Sequence, residues 1–286
     1  MVSLCYSSAK SAGDVIYLRR VGAGQLFFAA SFAAIGAISL AARDFLLSQQ
    51  PVPPGIPGRE TLACISAALL LAAGAGLLLP AAAKRSALIL TGFVALWVLA
   101  LELPRALAHP GVEANWLGVG EDSSLVGGGW LIYYALSGRS DGSARIARIL
   151  FGVALLPIGV SHFVYLQGAA GLIPAWMPLR VPLTALGGAG HIAAGLAIAV
   201  GVVPRLAAAL EAIMEGLFTV ICWLSAVIAA PANRQDWVNL CISTALSAAA
   251  LAVAESYGRR PGATPVIQSA DAKAPAGARD PPSRSL

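Results

Sequence analysis

The amino-acid sequence predicts an all-α integral membrane protein whose eight transmembrane helices form two tandem four-helix bundles. Three observations predict it. Apolar residues make up 58% of the 286 residues and charged residues only 12%, too little charge for a water-soluble chain of this length. The apolar residues gather in runs near the roughly 20 residues that a helix needs to cross a bilayer. Landmark residues of the first half also return in the second at a nearly constant displacement, the mark of an internal repeat.

The first run, Val21 to Ala41, follows Lys10, Arg19 and Arg20; it is longer than the apolar core of a signal peptide and reads as a retained helix. Thr61 to Leu79 and Ser86 to Leu103 give the second and third spans, and Ser124 to Leu136 the fourth. This fourth run is short and holds Gly127, Gly128 and Gly129, so it needs flanking residues or a local kink to cross. Ile146 to Leu166, Thr184 to Val203, Leu206 to Ala230 and Trp237 to Ala254 complete the eight.

Lysine and arginine test this count independently. With the N-terminus on the cytoplasmic side, all 19 fall on cytoplasmic segments except Arg43, Arg59, Arg105, Arg180 and Arg234. That is the bias of an even number of spans with both ends inside. The net charge of +5 is therefore read as topology, because no basic face on a soluble domain is present to bind nucleic acid.

The repeat rests on Pro54-x-x-Pro57-x-Arg59 returning as Pro174-x-x-x-Pro178-x-Arg180, with Gly74 returning as Gly195, Arg85 as Arg205 and Trp116 as Trp237, all 120 or 121 residues on. Each copy holds an even number of spans, so both insert in the same orientation. Domain organisation follows: a cytoplasmic segment over 1–20, a first repeat over 21–136, a polar joint over 137–145, a second repeat over 146–254, and a disordered, cytoplasmic tail over 255–286 rich in Pro, Ser, Ala and Arg.

Ionisable residues inside spans are costly, so they are the first candidates for function. They gather in the second repeat: His162 in the fifth helix, His191 in the sixth, and Glu211 and Glu215 in the seventh. The corresponding residues of the first repeat are Ser39, Leu70, Leu90 and Val94. Glu211 and Glu215, four apart, share a face with Phe218, Cys222 and Ser225 that should look into the bundle.

At about 1.5 Å per residue, His191 and Glu215 differ in height by only about 6 Å, which allows a hydrogen bond between them. Each candidate also has a plainer reading. Glu211 lies about 8 Å from the cytoplasmic end, where it is expected to reach the interface or pair with Arg205. His191 can bond a backbone carbonyl, Glu215 can be a hydrogen-bonded structural carboxyl, and His162 can be an interfacial histidine beyond the kink-prone Pro157-Ile158-Gly159. Glu102, beside Pro104 and Arg105, reads as an interface residue, and the tryptophans as an aromatic belt near span ends.

Cys5, Cys64, Cys222 and Cys241 form no C-x-x-C pair, so neither a zinc site nor a dithiol centre is indicated and no metal is expected. P-loop, nucleophile-elbow, HExxH and dinucleotide fingerprints do not occur.

Phe151-Gly152, Gly159-x-x-His162-Phe163, the loop Ile173-Pro174-Ala175-Trp176-Met177-Pro178, Gly187 to Gly195 with His191, Arg205-Leu206-Ala207-Ala208 and Trp237 together resemble the DoxX-like family of small four-helix bacterial membrane proteins. The resemblance covers about Arg145 to Ala254; the first half shares it more faintly, with Ser39 where the histidine of G-x-x-H-F would stand. It implies a multi-pass protein of a bacterial-type cytoplasmic membrane, partnered by lipid and by another membrane protein, either facing a quinone or anchoring a complex. Members have been linked to thiosulfate oxidation with a quinone acceptor and to complexes handling thiol or oxidative stress. Under this reading His191 or Glu215 handles quinone protons. Two other classes stay open: a small-molecule or proton-coupled transporter, and a structural partner without activity of its own.

Overall fold

The computed structural model describes residues 22–46, 48–138 and 142–258. Every regular element among them is a helix: α1 Ala23–Ala42, α2 Arg59–Gly76, α3 Ala83–Ala108, α4 Glu113–Ser137, α5 Ser143–Val164, the short α6 Leu166–Leu172, α7 Arg180–Val200, α8 Pro204–Ala229 and α9 Arg234–Ser256. The expected N-terminal segment, the middle of the polar joint and nearly all of the expected tail lie outside the described residues. Helix α9 itself runs two residues past the expected end of the last span.

Seven of these helices, all the long ones except α4, are long and apolar enough to cross a membrane. Helix α4 corrects the expectation of a short fourth span. It is 25 residues long and extends eleven residues N-terminal of Ser124. Hydropathy hid that extension because it carries Glu113, Glu121 and Asp122, which also separate α4 from the seven by composition.

Helices α3 and α8 are each interrupted by a π-helical turn, Val98–Glu102 and Thr219–Trp223. Both consist of 15 α-helical residues, five π-helical ones and six more α-helical ones. A π turn leaves the regular ladder, and each has a local reason for doing so. Pro104, which has no N–H to donate, follows the first. At the second, the Thr219 hydroxyl donates to the Glu215 carbonyl at 2.9 Å, competing with the backbone bond.

Packing crosses the midpoint of the chain. Helix α1 lies along α2 and α9, α5 lies along α7 and α4, and α4 and α9 meet in the middle. Small residues permit that central contact: a Cβ on Gly128 of α4 would collide with Ala249 of α9. One apolar core results, drawn from both halves, with Phe28, Phe32, Leu70, Leu90, Leu125, Phe151, Ile198 and Ala249 among its members.

Polar contacts fasten the two ends. At one end, Arg234 of α9 donates to the Phe45 carbonyl at 3.0 Å, Gln235 donates to Ser48 at 3.0 Å, and the Ala114 N–H donates to the Tyr165 hydroxyl at 3.1 Å. These bonds join the connection after α1 to that after α8, and the connection after α3 to that after α5. At the opposite end, Arg148 donates to the Ser256 carbonyl at 2.7 Å and lies over the Tyr257 ring.

Candidate functional site

The site begins with an unusually close pair of helices. A Cβ added to Gly188 of α7 would stand 2.8 Å from the Gly159 carbonyl oxygen of α5, and one on Gly195 would stand 2.5 Å from that of Gly152. Neither position has room for a side chain, so glycine on both helices sets the approach. His162 and His191 each follow one of these glycines by three residues. The crossing therefore lays their rings together, with centroids 5.0 Å apart.

Helix α8 supplies the acids. His191 Nδ1 lies 2.7 Å from Glu211 Oε1, and His191 Nε2 lies 3.9 Å from Glu215 Oε1. The imidazole thus stands between two successive turns, offering one nitrogen to each. From α9, the Ser243 hydroxyl donates to Glu215 Oε2 at 3.1 Å. His162 donates Nδ1–H to the Ile158 carbonyl at 2.9 Å, because a carbonyl can only accept. That fixes the tautomer of a neutral His162 with its lone pair on Nε2. Phe218 closes one side, its ring centre 5.9 Å from those of both histidines.

A cavity of about 530 Å³ lies beside this cluster. His162, Phe218, Glu215 and Ser243 form part of its wall, and Leu117, Gly118 and Glu121 of α4 form another part. Gln49 and Arg105, from the end where the four connections gather, also line it, and Gln49 donates to Glu121 at 3.3 Å. His191 and Glu211 stand behind the wall, fully buried. Buried polar atoms need partners, yet His191 Nε2 and Glu211 Oε2 have no hydrogen bond among the described residues.

All four residues singled out from the sequence therefore meet in one place, on terms that differ from the expectations. Glu211 does not reach an interface or pair with Arg205; it is 1% exposed and bound to His191. His191 hydrogen-bonds Glu211, not Glu215, because its two nitrogens span the two turns. His162 lines the cavity. Glu102, expected at an interface, is 0% exposed, and Trp97 is a core residue packed on Phe93.

Sequence reasoning missed Glu121, Asp122, Gln49 and Ser243. Asp122, like Glu102, is buried with neither carboxylate oxygen hydrogen-bonded among the described residues. The available signal was the acidic pair Glu121-Asp122 between Gly120 and an apolar run, which marks buried carboxyls once the helix is extended backwards.

No family model, curated protein or solved structure matches this chain.

Proposed function

We propose that this chain is a DoxX-like, quinone-facing subunit of a bacterial-type cytoplasmic membrane, with eight spans in two parallel repeats and both termini cytoplasmic. The repeat is supported by the identical 15, five and six residue segments of α3 and α8, which begin 121 residues apart. Trp116 and Trp237 support it too, for each donates its indole N–H to a proline carbonyl six residues earlier, at 3.0 Å. Orientation is supported by the lysine and arginine bias.

One observation carries the function: protonatable side chains on the wall of a mid-bundle cavity, with His162 and Glu215 on one side and Glu121 on another. Intramembrane ionisable groups facing a cavity mark ligand and proton pathways. A quinone takes up protons at its carbonyl oxygens when reduced, and an imidazole and a carboxyl within reach supply them. Phe218 and Trp223 give the ring flat apolar neighbours. The sequence has no paired cysteines to act as a dithiol, so the electrons come from a partner protein and this chain supplies the quinone and proton site.

The test is equilibrium binding of a short-chain quinone to the purified protein in detergent, read as quenching of tryptophan fluorescence, since Trp223 lies on the cavity wall. Quenching should saturate, and His162→Ala should weaken binding roughly tenfold, the worth of one hydrogen bond to an ionisable group. Quenching that never saturates and ignores the substitution would reject the reading. A proton-coupled transporter is the second reading, favoured by parallel repeats and mid-height carboxyls. Uptake into proteoliposomes that changes with pH and is lost in Glu215→Gln would favour it over the first.

A further inference from the structure

We propose that His191, Glu215 and His162 hold a divalent first-row transition-metal ion at the cavity wall, with Glu211 backing His191 from behind. The inference rests on the reading of the cavity as a ligand site and names what that site carries. One donor atom from each of His191, Glu211 and Glu215 lies within 4.8 Å of the others, and the His162 ring stands beside this group, against that of His191.

Separations distinguish an ion from a shared proton. His191 Nε2 and Glu215 Oε1 face one another at 3.9 Å, beyond the roughly 2.7–3.2 Å of a hydrogen bond. Two donors on one ion, each about 2.0–2.2 Å from it, stand between about 3 and 4 Å apart. His191 Nε2 is wholly buried and has no hydrogen-bond partner among the described residues; with Nδ1–H given to Glu211, the ring's lone pair lies on Nε2 and faces Glu215. A cation placed there would be attracted by both atoms.

The outer contacts have the pattern that orients ligands in metal sites. His191 gives its Nδ1–H to Glu211, His162 gives its Nδ1–H to the Ile158 carbonyl, and Glu215 accepts from Ser243 through the oxygen turned away from His191. Each of the three ligands is thus held by its far atom, and Nε2 of both histidines and Oε1 of Glu215 are the atoms left for an ion. The 5.0 Å between the histidine ring centres suits two imidazoles on one tetrahedral ion, which with bonds of about 2.0–2.1 Å stand on the order of 5 Å apart. Two histidines and one carboxylate suit zinc or iron(II). Because His162 and Glu215 lie on the cavity wall, the remaining position opens to a ligand, as in sites that bind and polarise an oxygen atom.

The experiment uses chelator-treated full-length protein in detergent, carrying a purification tag without histidine, and Zn²⁺ and Co²⁺ as probes. One ion per chain is expected after equilibrium dialysis, with visible absorption bands for Co²⁺ in a nitrogen and oxygen field and a rise in melting temperature on adding Zn²⁺. His191→Ala and Glu215→Ala should abolish retention. Glu211→Gln should weaken it by about 10–100-fold, the usual cost of losing a supporting contact, and Glu60→Gln, at an exposed site, should leave it unchanged. If the alanine variants fail to fold, His162→Asn and the wild-type cobalt spectrum still decide. The assignment is overturned if the wild-type protein retains no ion and shows no melting shift, or if retention survives His191→Ala or His162→Asn. Saturable quinone quenching by protein that holds no ion would overturn the metal assignment alone; ion binding without quinone quenching would overturn only the reading of the cavity.

Discussion

Ahead of its π turn, α3 carries Leu90 and Val94, buried with Leu70 in a continuous apolar core; the corresponding turns of α8 carry Glu211 and Glu215, set around His191. Leu70, Leu90 and His191 are all 0% exposed, and Glu211 is 1% exposed. The two settings therefore share burial and helix form and differ in chemistry. Close packing of the apolar trio needs no further support. The polar trio must overcome a desolvation cost of several kcal/mol for each ion. Packing alone would favour leucine in both places, so the polar residues point to a role other than stability.

Moving one acid into the apolar setting should give the largest effect. Leu90→Glu places a carboxyl in the first half without a histidine to meet it, and an uncompensated buried charge costs about 3–5 kcal/mol. Purified yield of monodisperse protein and its melting temperature should both fall sharply. An unchanged melting temperature would show that the first-half pocket already admits polar groups.

Making the second half resemble the first sharpens the comparison. The triple variant His191→Leu, Glu211→Leu, Glu215→Val should be neutral or more stable by about 1–4 kcal/mol, as for other buried ion pairs replaced by apolar groups, whereas Glu211→Leu alone should cost about 3–5 kcal/mol. Thermal unfolding of the three proteins side by side measures this. A triple variant less stable than the single one would mean that the cluster holds the bundle together.

The smallest effect lies outside the spans. Asp44 is paired with Arg59 and lies 3.7 Å from Arg234. Burial raises its pKa, but the hydrogen bonds from Arg59 and the Phe45 N–H, and the charges of both arginines, outweigh burial and leave the carboxyl below its usual range. Its stabilising contribution is then complete above the unfolded-state value of about 4 and is lost as the pH falls through the lower folded-state value. Asp44→Asn should cost no more than about 1 kcal/mol near neutral pH and should flatten the acid side of a melting-temperature profile. A profile identical to that of the wild type would remove this network from the account.

Apolar run length placed seven of the long helices to within a few residues, because in lipid each helix satisfies its own backbone bonds and hydropathy reports it directly. The start of α4 was illegible for the complementary reason: Glu121 and Asp122 look like a loop to any measure of average hydropathy, although Asp122 is buried in the bundle and Glu121 lines the cavity. The site residues were legible as ionisable groups in apolar surroundings. Their pairing was not. Axial height alone put Glu215 nearest His191, whereas contact depends on which edge of the imidazole faces which turn, and the glycine crossing of α5 and α7 decides that. Helix α4's share of the cavity also required knowing that the two halves interleave.

That interleaving bears on how the protein is made. Helix α1 is synthesised well before one of its main neighbours, α9, and the Gly24 N–H meets the Glu255 carboxylate 231 positions away. Until α9 has been made, one flank of α1 faces lipid, chaperone or insertase instead of its final neighbour. Long-range closure of this kind delays assembly relative to nearest-neighbour folding, so a chain truncated before α9 leaves the distant α1 unfinished as well.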